Sequence, residues 1–391
     1  MIKQRVLISE VYEGLYDGPH ATPPTSDKGA VFLGISNITK NGHIDFSNIK
    51  YISEEDLPKW TKRVTPRAGD IVFSYEATLN LYAIIPESFW GCLGRRMALI
   101  RPDESKALGK YLYYYFFSDE WRATIAENTI TGATVDRIPI AKFPEFPISL
   151  PSLEIQKRIV DILSAYDYLI ENNQKQIKLL EEAAQRLYKE WFVDLRFPGY
   201  EDVQIVDGVP AGWHKGTVQE IVKYHDTMRK PLSGQQREKM KGKYRYYGAA
   251  GVLDYVNKYI FDGTYLLLGE DGTVITNDGL PVLQYVTGQF WVNNHAHVLT
   301  GKGNYSTEFI FMMFSFMGIS DVVTGVAQPK ISQGRLSAKK VVIPSEGLAV
   351  LFHNNTKPIF DRVLLLEKQI TLFSEARDRL LPKLMSGEIE L

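Results

Sequence analysis

The residues in this 391-residue chain best suited to chemistry are basic and aromatic, and they are gathered rather than spread. Between Lys223 and Arg245 lie Arg229, Lys230, Arg237, Lys239, Lys241 and Lys243, opposed only by Asp226 and Glu238. The run continues as Tyr244-Arg245-Tyr246-Tyr247-Gly248. Lys and Arg neutralise phosphates, Arg grips a guanine edge with two parallel hydrogen bonds, and Tyr bonds phosphate or packs on sugar and base. Net charge is −1, so the basic character is local and not a uniform coat. The first half offers a softer counterpart: Tyr16-Asp17-Gly18-Pro19-His20-Ala21-Thr22-Pro23-Pro24, then Lys28, and later Arg95-Arg96. A basic run is also often no more than a solvated face, and Tyr246 would fit a core as well as a ligand.

Catalytic signatures are missing. The sequence has no G-x-x-x-x-G-K-[ST] phosphate loop, no G-x-S-x-G elbow and no His-Glu-x-x-His. No N/D-P-P-aromatic methyltransferase motif is present either; Pro23-Pro24 sits in Ala-Thr-Pro-Pro-Thr. In Asn294-His295-Ala296-His297, alternation along a strand would put both imidazoles on one face, yet no third ligand follows at ligand spacing. Packing or hydrogen bonding is the weightier reading. Glu270-Asp271-Gly272 with Asp278 lacks calcium-loop spacing and reads as a turn. Cys92 is the single cysteine, which excludes an intrachain disulfide and a cysteine-based zinc site. No metal site is expected. Two other readings stay open: a self-sufficient nucleic-acid enzyme with Glu270, Asp271 and His295 or His297 around a metal, and a pure assembly scaffold.

What positions these residues is a duplication. The second half repeats the first at a fixed offset: Thr131-Gly132 answers Thr324-Gly325 (324 − 131 = 193), and Pro151-Ser152 answers Pro344-Ser345 (344 − 151 = 193). Lys175-Gln176-Ile177 answers Lys368-Gln369-Ile370, again 193 apart. Solenoid units run about 20–50 residues, so this is a duplicated domain instead. With 45% hydrophobic and 23% charged residues, each copy can bury a core of its own. No stretch approaches 18 uninterrupted apolar residues, and the opening MIKQRVLISEVYEG has no signal-like segment, so a cytoplasmic location is expected.

Each copy begins with short β-branched and aromatic runs broken by Gly, Asn and Asp: Ala30–Ile35, Ile71–Tyr75 and Met97–Ile100, then Tyr265–Leu268, Val282–Val286 and His297–Leu299. Helical stretches follow at Lys110–Ala126 and Ser306–Met317. The expected fold is α+β, two tandem mixed α/β domains with largely antiparallel or mixed sheets. The end of each copy differs in kind. After Ser152, apolar residues recur at Ile155, Ile159, Ile162, Tyr166 and Leu169, with Asn173 on the stripe; the series resumes at Ile177, Leu180, Ala184, Leu187 and Trp191. Spacings of three and four give a helix of about 40 residues, about 60 Å long. It ends before the linker Phe197-Pro198-Gly199.

The second stripe runs Leu348, Phe352, Ile359, Val363, Leu366, Ile370, Phe373, Leu380 and Leu384, with Pro358 expected to kink or delay it and Arg362 and Arg377 on otherwise apolar positions. A narrow stripe of this length needs a partner helix. The two helices are expected to pair as an antiparallel coiled coil with pseudo-two-fold symmetry, the globular domains at opposite ends. The expected boundaries are 1–150, a first domain; 151–195, a first spacer helix; 196–345, a second domain; and 346–391, a second spacer helix and tail.

At this point the chain resembles the DNA-specificity (S) subunits of type I restriction–modification systems. The resemblance is carried by Asp17-Gly18-Pro19-His20-Ala21-Thr22-Pro23 and Phe32-Leu33-Gly34-Ile35-Ser36-Asn37-Ile38. It continues in Leu150-Pro151-Ser152-Leu153-Glu154-Ile155-Gln156 and Leu187-Tyr188-Lys189-Glu190-Trp191-Phe192. The second copy adds Gly242-Lys243-Tyr244-Arg245-Tyr246-Tyr247-Gly248, Trp291-Val292-Asn293-Asn294-His295-Ala296-His297 and Leu380-Leu381-Pro382-Lys383-Leu384-Met385-Ser386-Gly387-Glu388. The resemblance implies two target-recognition domains, each reading half of a split double-stranded DNA site, and a helix pair that sets the gap. Half-sites one turn apart lie about 34–36 Å from centre to centre.

It implies no catalysis and no cofactor in this chain. Two methyltransferase subunits would bring S-adenosylmethionine, and two motor-endonuclease subunits would bring ATP and Mg2+ chemistry; no membrane is involved. The candidate DNA contacts are His20, Thr22, Lys28, Arg95, Arg96 and Arg137 in the first copy. In the second they are Arg229, Lys230, Arg237, Lys241, Arg245, Tyr246 and Lys330, the last answering Arg137 at the same offset (330 − 137 = 193).

Overall fold

A computed structural model of the chain describes residues 2–132, 135–325 and 327–391. The chain forms two tandem mixed α/β domains, each followed by a long helix, Leu153–Tyr188 (36 residues) and Glu346–Ser386 (41 residues). It divides into two compact units: one runs up to Asn172 and adds Ile370–Leu391, the other is Asn173–Gln369. Each long helix therefore contributes a segment to each unit.

In the first unit, β1 (Gln4–Leu7) pairs with β9 (Pro147–Leu150) and so joins the two ends of the domain. Between them a four-stranded sheet runs in the order β2 (Tyr12–Asp17), β8 (Met97–Pro102), β5 (Ile71–Ser74), β6 (Tyr82–Ile84). A second sheet holds β3 (Ala30–Leu33) between β4 (Lys50–Ile52) and the parallel strand β7 (Gly91–Leu93). Strand alternation gives the main sheet two apolar faces. Ile71, Phe73, Ala98 and Ile100 join one core cluster; Val72, Met97 and Leu99 join the other. Trp121, fully buried, closes the first cluster and donates its indole N–H to Tyr82 Oη at 2.9 Å. The expected single helix over 110–126 is two, Gly109–Tyr115 and Asp119–Asn128, because Ser118 caps the second through the Trp121 amide.

The second unit repeats the plan. Strand β10 (His214–Thr217) pairs with β17 (Lys340–Ile343), again joining domain ends. One six-stranded sheet runs β11 (Val222–Tyr224), β16 (Ala296–Gly301), β14 (Phe261–Gly269), β15 (Leu283–Val292), β12 (Lys241–Tyr247), β13 (Val252–Val256). Its first four members follow the order of β2, β8, β5 and β6. The last two match β3 and β4, and β12 runs parallel to β15 as β3 does to β7. Strand β17 begins 193 residues after β9 (340 − 147) and the second long helix 193 after the first (346 − 153).

Inside each unit the long-helix segments run antiparallel. In the first, Tyr166 packs on Phe373, and Asp167 accepts from Arg377 Nη1 at 2.8 Å. In the second, Asn173 Nδ2 donates to Gln369 at 3.1 Å, Arg362 reaches Gln176 at 3.3 Å, and Tyr188 packs on Phe352. Arg362, Arg377 and Asn173 are thus the polar cross-links of the stripe. Pro358 neither delays nor interrupts the second helix, which runs unbroken from Glu346 to Ser386. Pro358 and Asn354 both face outward, so the carbonyl that loses its amide partner is open to water.

Candidate nucleic-acid interface

The charged residues singled out in the sequence fall into two groups. One gathers where strands β11 and β14 end and β16 begins. Asp226, just beyond β11, accepts from the Val298 amide (2.8 Å) and from His297 Nδ1 (2.6 Å). Arg229 lies 3.5 Å from it and donates through Nη1 to Glu270 (2.6 Å) and to the Ala296 carbonyl (2.7 Å). His297 Nε2 meets the Ile331 carbonyl at 2.9 Å. Both ring nitrogens of His297 face acceptors, so both bonds form together only when the ring carries two protons. Side-chain exposures are 8% for Asp226, 12% for Arg229, 15% for Glu270 and 1% for His297. That is a buried ionic network. Burial pushes the Asp226 carboxyl up, but the hydrogen bond and charge of His297, the Val298 amide and Arg229 outweigh it and hold the group below its ordinary range.

These contacts correct three expectations. Arg229 spends its guanidinium inside the protein. His295 and His297 do not share a face of one strand: β16 starts at Ala296, His297 points inward to Asp226, and His295 precedes the strand, half-exposed beside Asp271. Tyr246 is 1% exposed and accepts the Leu232 amide at 2.9 Å, so it is a core residue. The basic stretch is also no single loop, since it spans β11, a short helix Gly234–Lys239 and β12. Within it, Arg237 is tied to Asp254 and the Leu232 carbonyl, and Lys241 bridges Asp254 and Glu238. Lys230 and Arg245 are exposed; the Lys230 carbonyl accepts from Trp291 Nε1, and Arg245 lies 3.4 Å from Tyr247 Oη.

The first unit builds a counterpart at its matching strand ends. Asp17 closes β2 and pairs with Arg63 (2.6 Å) and with His20 (3.1 Å), three residues on, as Arg229 is from Asp226. Tyr75 N–H donates to the Arg96 carbonyl (3.1 Å), and Glu270 N–H donates to the His295 carbonyl (2.8 Å), so Tyr75 takes the place of Glu270. The next residues, Glu76 and Asp271, each form an isolated backbone bridge, to Arg137 and to Lys330 respectively. Each also faces a side-chain nitrogen: Arg96 Nε lies 3.8 Å from Glu76, and His295 Nδ1 lies 3.5 Å from Asp271. Beyond them Ala77 (φ 70°) and Gly272 (φ 90°) turn left-handed and donate their amides to Asp136 and Pro329.

Here the structure brings His20, Arg96 and Arg137 into one platform and Arg229 and Lys330 into the other. Thr22, Lys28 and Arg95 are exposed, with no side-chain partner among the described residues. Sequence reasoning missed Asp17, Arg63, Glu76 and His295 as members. The 193-residue offset could have found Glu76 and Asp271 only once strand ends were matched, because the gap between equivalent strands drifts (296 − 97 = 199 for β8 and β16).

A family model described as "Type I restriction modification DNA specificity domain" matches the chain twice, at residues 25–182 and 210–347. The chain is 26% identical over 374 residues to the type I restriction enzyme MjaIX specificity subunit of Methanocaldococcus jannaschii, covering 89% of this chain and 85% of that protein. It is also 26% identical over 325 residues to the EcoprrI specificity subunit of Escherichia coli, covering 80% and 75%. The crystal structure of a type I restriction–modification S subunit from M. genitalium aligns with a TM-score of 0.59 at 16% identity, covering 98% of this chain and 96% of that one; it is a likeness of fold. No helix among the described residues is long and apolar enough to cross a membrane.

Proposed function

The chain belongs to the type I restriction–modification DNA specificity family, and from that premise we propose that it reads a split, asymmetric double-stranded DNA site, one half with each domain. Residues 1–150 and 196–345 are the reading domains in this proposal, and 151–195 and 346–391 the spacer helices that set the gap. The spacer frame docks two methyltransferase subunits, which bring S-adenosylmethionine, and the restriction complex adds two ATP-driven endonuclease subunits. This chain supplies recognition and no catalytic step. The observation that carries the reading is the recurrence of one polar platform at matching strand ends in both units, on a duplicated frame. A structure duplicated to hold, and diverged where it would touch, suits two readers of different text.

Domain exchange tests this. Replacing residues 1–145 with those of a relative changes one half of the methylated sequence and leaves the other half intact, as read by genome-wide methylation mapping. Lengthening one long helix by about a turn changes the gap and keeps the letters. Altered letters in both halves after a single exchange would sink the proposal.

A metal-dependent nuclease reading has a specific starting point, because donor atoms of Asp226, Glu270 and His297 lie within 4.8 Å of one another. Arg229 stands among the same carboxylates, with its Nη1 2.6 Å from Glu270, and supplies the positive charge an ion would bring. Incubating the purified chain with DNA and Mg2+ separates the readings, since cleavage without other subunits would favour the enzyme.

A further inference from the structure

Resting on the DNA-reading proposal, we infer that Arg96 and His295 are the paired base-reading residues of the two domains, with Glu76 and Asp271 as the positioning residues that aim them. The two are equivalent by hydrogen bonding and not by any sequence motif: each precedes its strand, and its carbonyl takes the amide of the residue just beyond the neighbouring strand. Each side chain is partly exposed, 32% for Arg96 and 45% for His295, while the carboxylate beside it is less so, 27% and 22%. A half-sheltered carboxylate against a more exposed side-chain nitrogen restrains the side chain without hiding it. Arg96 is also held at φ 69°, a left-handed backbone that a non-glycine residue adopts only at an energetic cost. The surrounding structure enforces that conformation.

The chemistry left free differs between the two. Glu76 faces Nε of Arg96, and both Nη groups lack a partner among the described residues, a two-pronged donor that matches O6 and N7 of guanine in the major groove. Asp271 faces Nδ1 of His295, which leaves Nε2 as a single contact; with the proton on Nδ1 it accepts from the amino group of adenine or cytosine. Arg137 and Lys330, bridged by backbone to the same two carboxylate residues, are exposed cations suited to phosphate. The first domain's half-site therefore contains a guanine whose recognition depends on Arg96. The second contains an adenine or cytosine whose recognition depends on His295.

Selection of DNA from a random pool by the chain assembled with its methyltransferase subunits tests this, with wild type, Arg96→Gln, Arg96→Lys, His295→Ala and Glu76→Gln. Arg96→Gln should lose discrimination at one guanine of the first half-site by about 10-fold or more and leave the second half untouched. Arg96→Lys should restore overall affinity and its salt dependence but not the discrimination, which a merely structural role would not predict. Glu76→Gln should relax the same position by less, and His295→Ala should relax one position of the other half only. If wild type selects a split site and Arg96→Gln and His295→Ala select it with every position unchanged, this inference fails while the functional proposal stands. If wild type selects no defined sequence, both fail.

Discussion

The two domains end the same strands with the same kinds of group and bury them to opposite degrees. In the second, Glu270 brings a carboxylate inward, so Arg229 is drawn in against it and His297 closes the network at 1% exposure. In the first, Tyr75 stands at that position. It adds no buried charge, and Arg63 (49% exposed) and His20 (65%) remain in solvent around Asp17. Burial raises the Tyr75 phenol, and the carboxylates of Asp17 and Glu76 raise it further; its hydroxyl has no hydrogen-bond partner among the described residues. One substitution at a strand end decides whether the platform is a post or a rim. A buried charge demands a counter-charge because water is not there to solvate it, and each recruit must be paired in turn. The first domain was spared that chain of requirements.

The largest expected effect tests this contrast. Asp226→Ala should cost the second unit about 3–5 kcal/mol, because it leaves Arg229 and His297 buried beside a missing partner. Asp17→Ala should cost about 0–1 kcal/mol, the range for exposed pairs. Urea unfolding followed by hydrogen exchange in each unit measures both, and equal losses would break the comparison. The same difference carries a pH dependence. The folded Asp226 carboxyl lies below its unfolded value of 3.8, so its contribution is present above that value and is lost as pH falls through the lower folded value. Acid should therefore loosen the second unit through this group, and Asp226→Asn should remove that slope.

Next in size is the cross-helix pair of the first unit. Arg377→Ala leaves Asp167, which also accepts from Tyr114, without its guanidinium, and should cost about 1.5–3 kcal/mol by thermal unfolding. No loss would mean that the apolar stripe alone holds the helices. The smallest effect concerns the left-handed turns. Gly272→Ala should destabilise by about 1 kcal/mol, whereas Ala77→Gly should be neutral or stabilising, since glycine adopts that backbone without strain. Two substitutions of the same sign would show that the loops are not equivalent.

How much of this could be read beforehand varies with the kind of signal. The long helices were legible because a three-four spacing sustained over many turns has one physical meaning. The polar residues on their stripes were legible only as exceptions, since Arg377 finds Asp167 across 210 positions, which no local pattern reveals. Pro358 does not interrupt the helix, because a missing amide costs little where the freed carbonyl meets water. The basic run misled most. Local charge counting gathered Arg229, Arg237, Lys241 and Arg245 into one face, but the fold set carboxylates from Asp226, Glu238, Asp254 and Glu270 against three of them. Whether a cation faces a ligand or an acid is a property of the sheet, and the sheet is assembled from segments far apart in sequence.

The first unit takes in Ile370–Leu391, and Leu384 and Met385 are buried in its core beside Ile159 and Leu163. On the ribosome, the residues of the first domain are made early yet must wait for this segment, while Asn173–Gln369 is a single uninterrupted run that can close first. Synthesis and completion thus proceed in opposite orders. A chain released after residue 369 would hold every residue of the second unit and lack Ile370–Leu391 of the first, leaving Ile159 and Leu163 without Leu384 and Met385. Completion of the first unit is in this way held back until the whole chain has been translated.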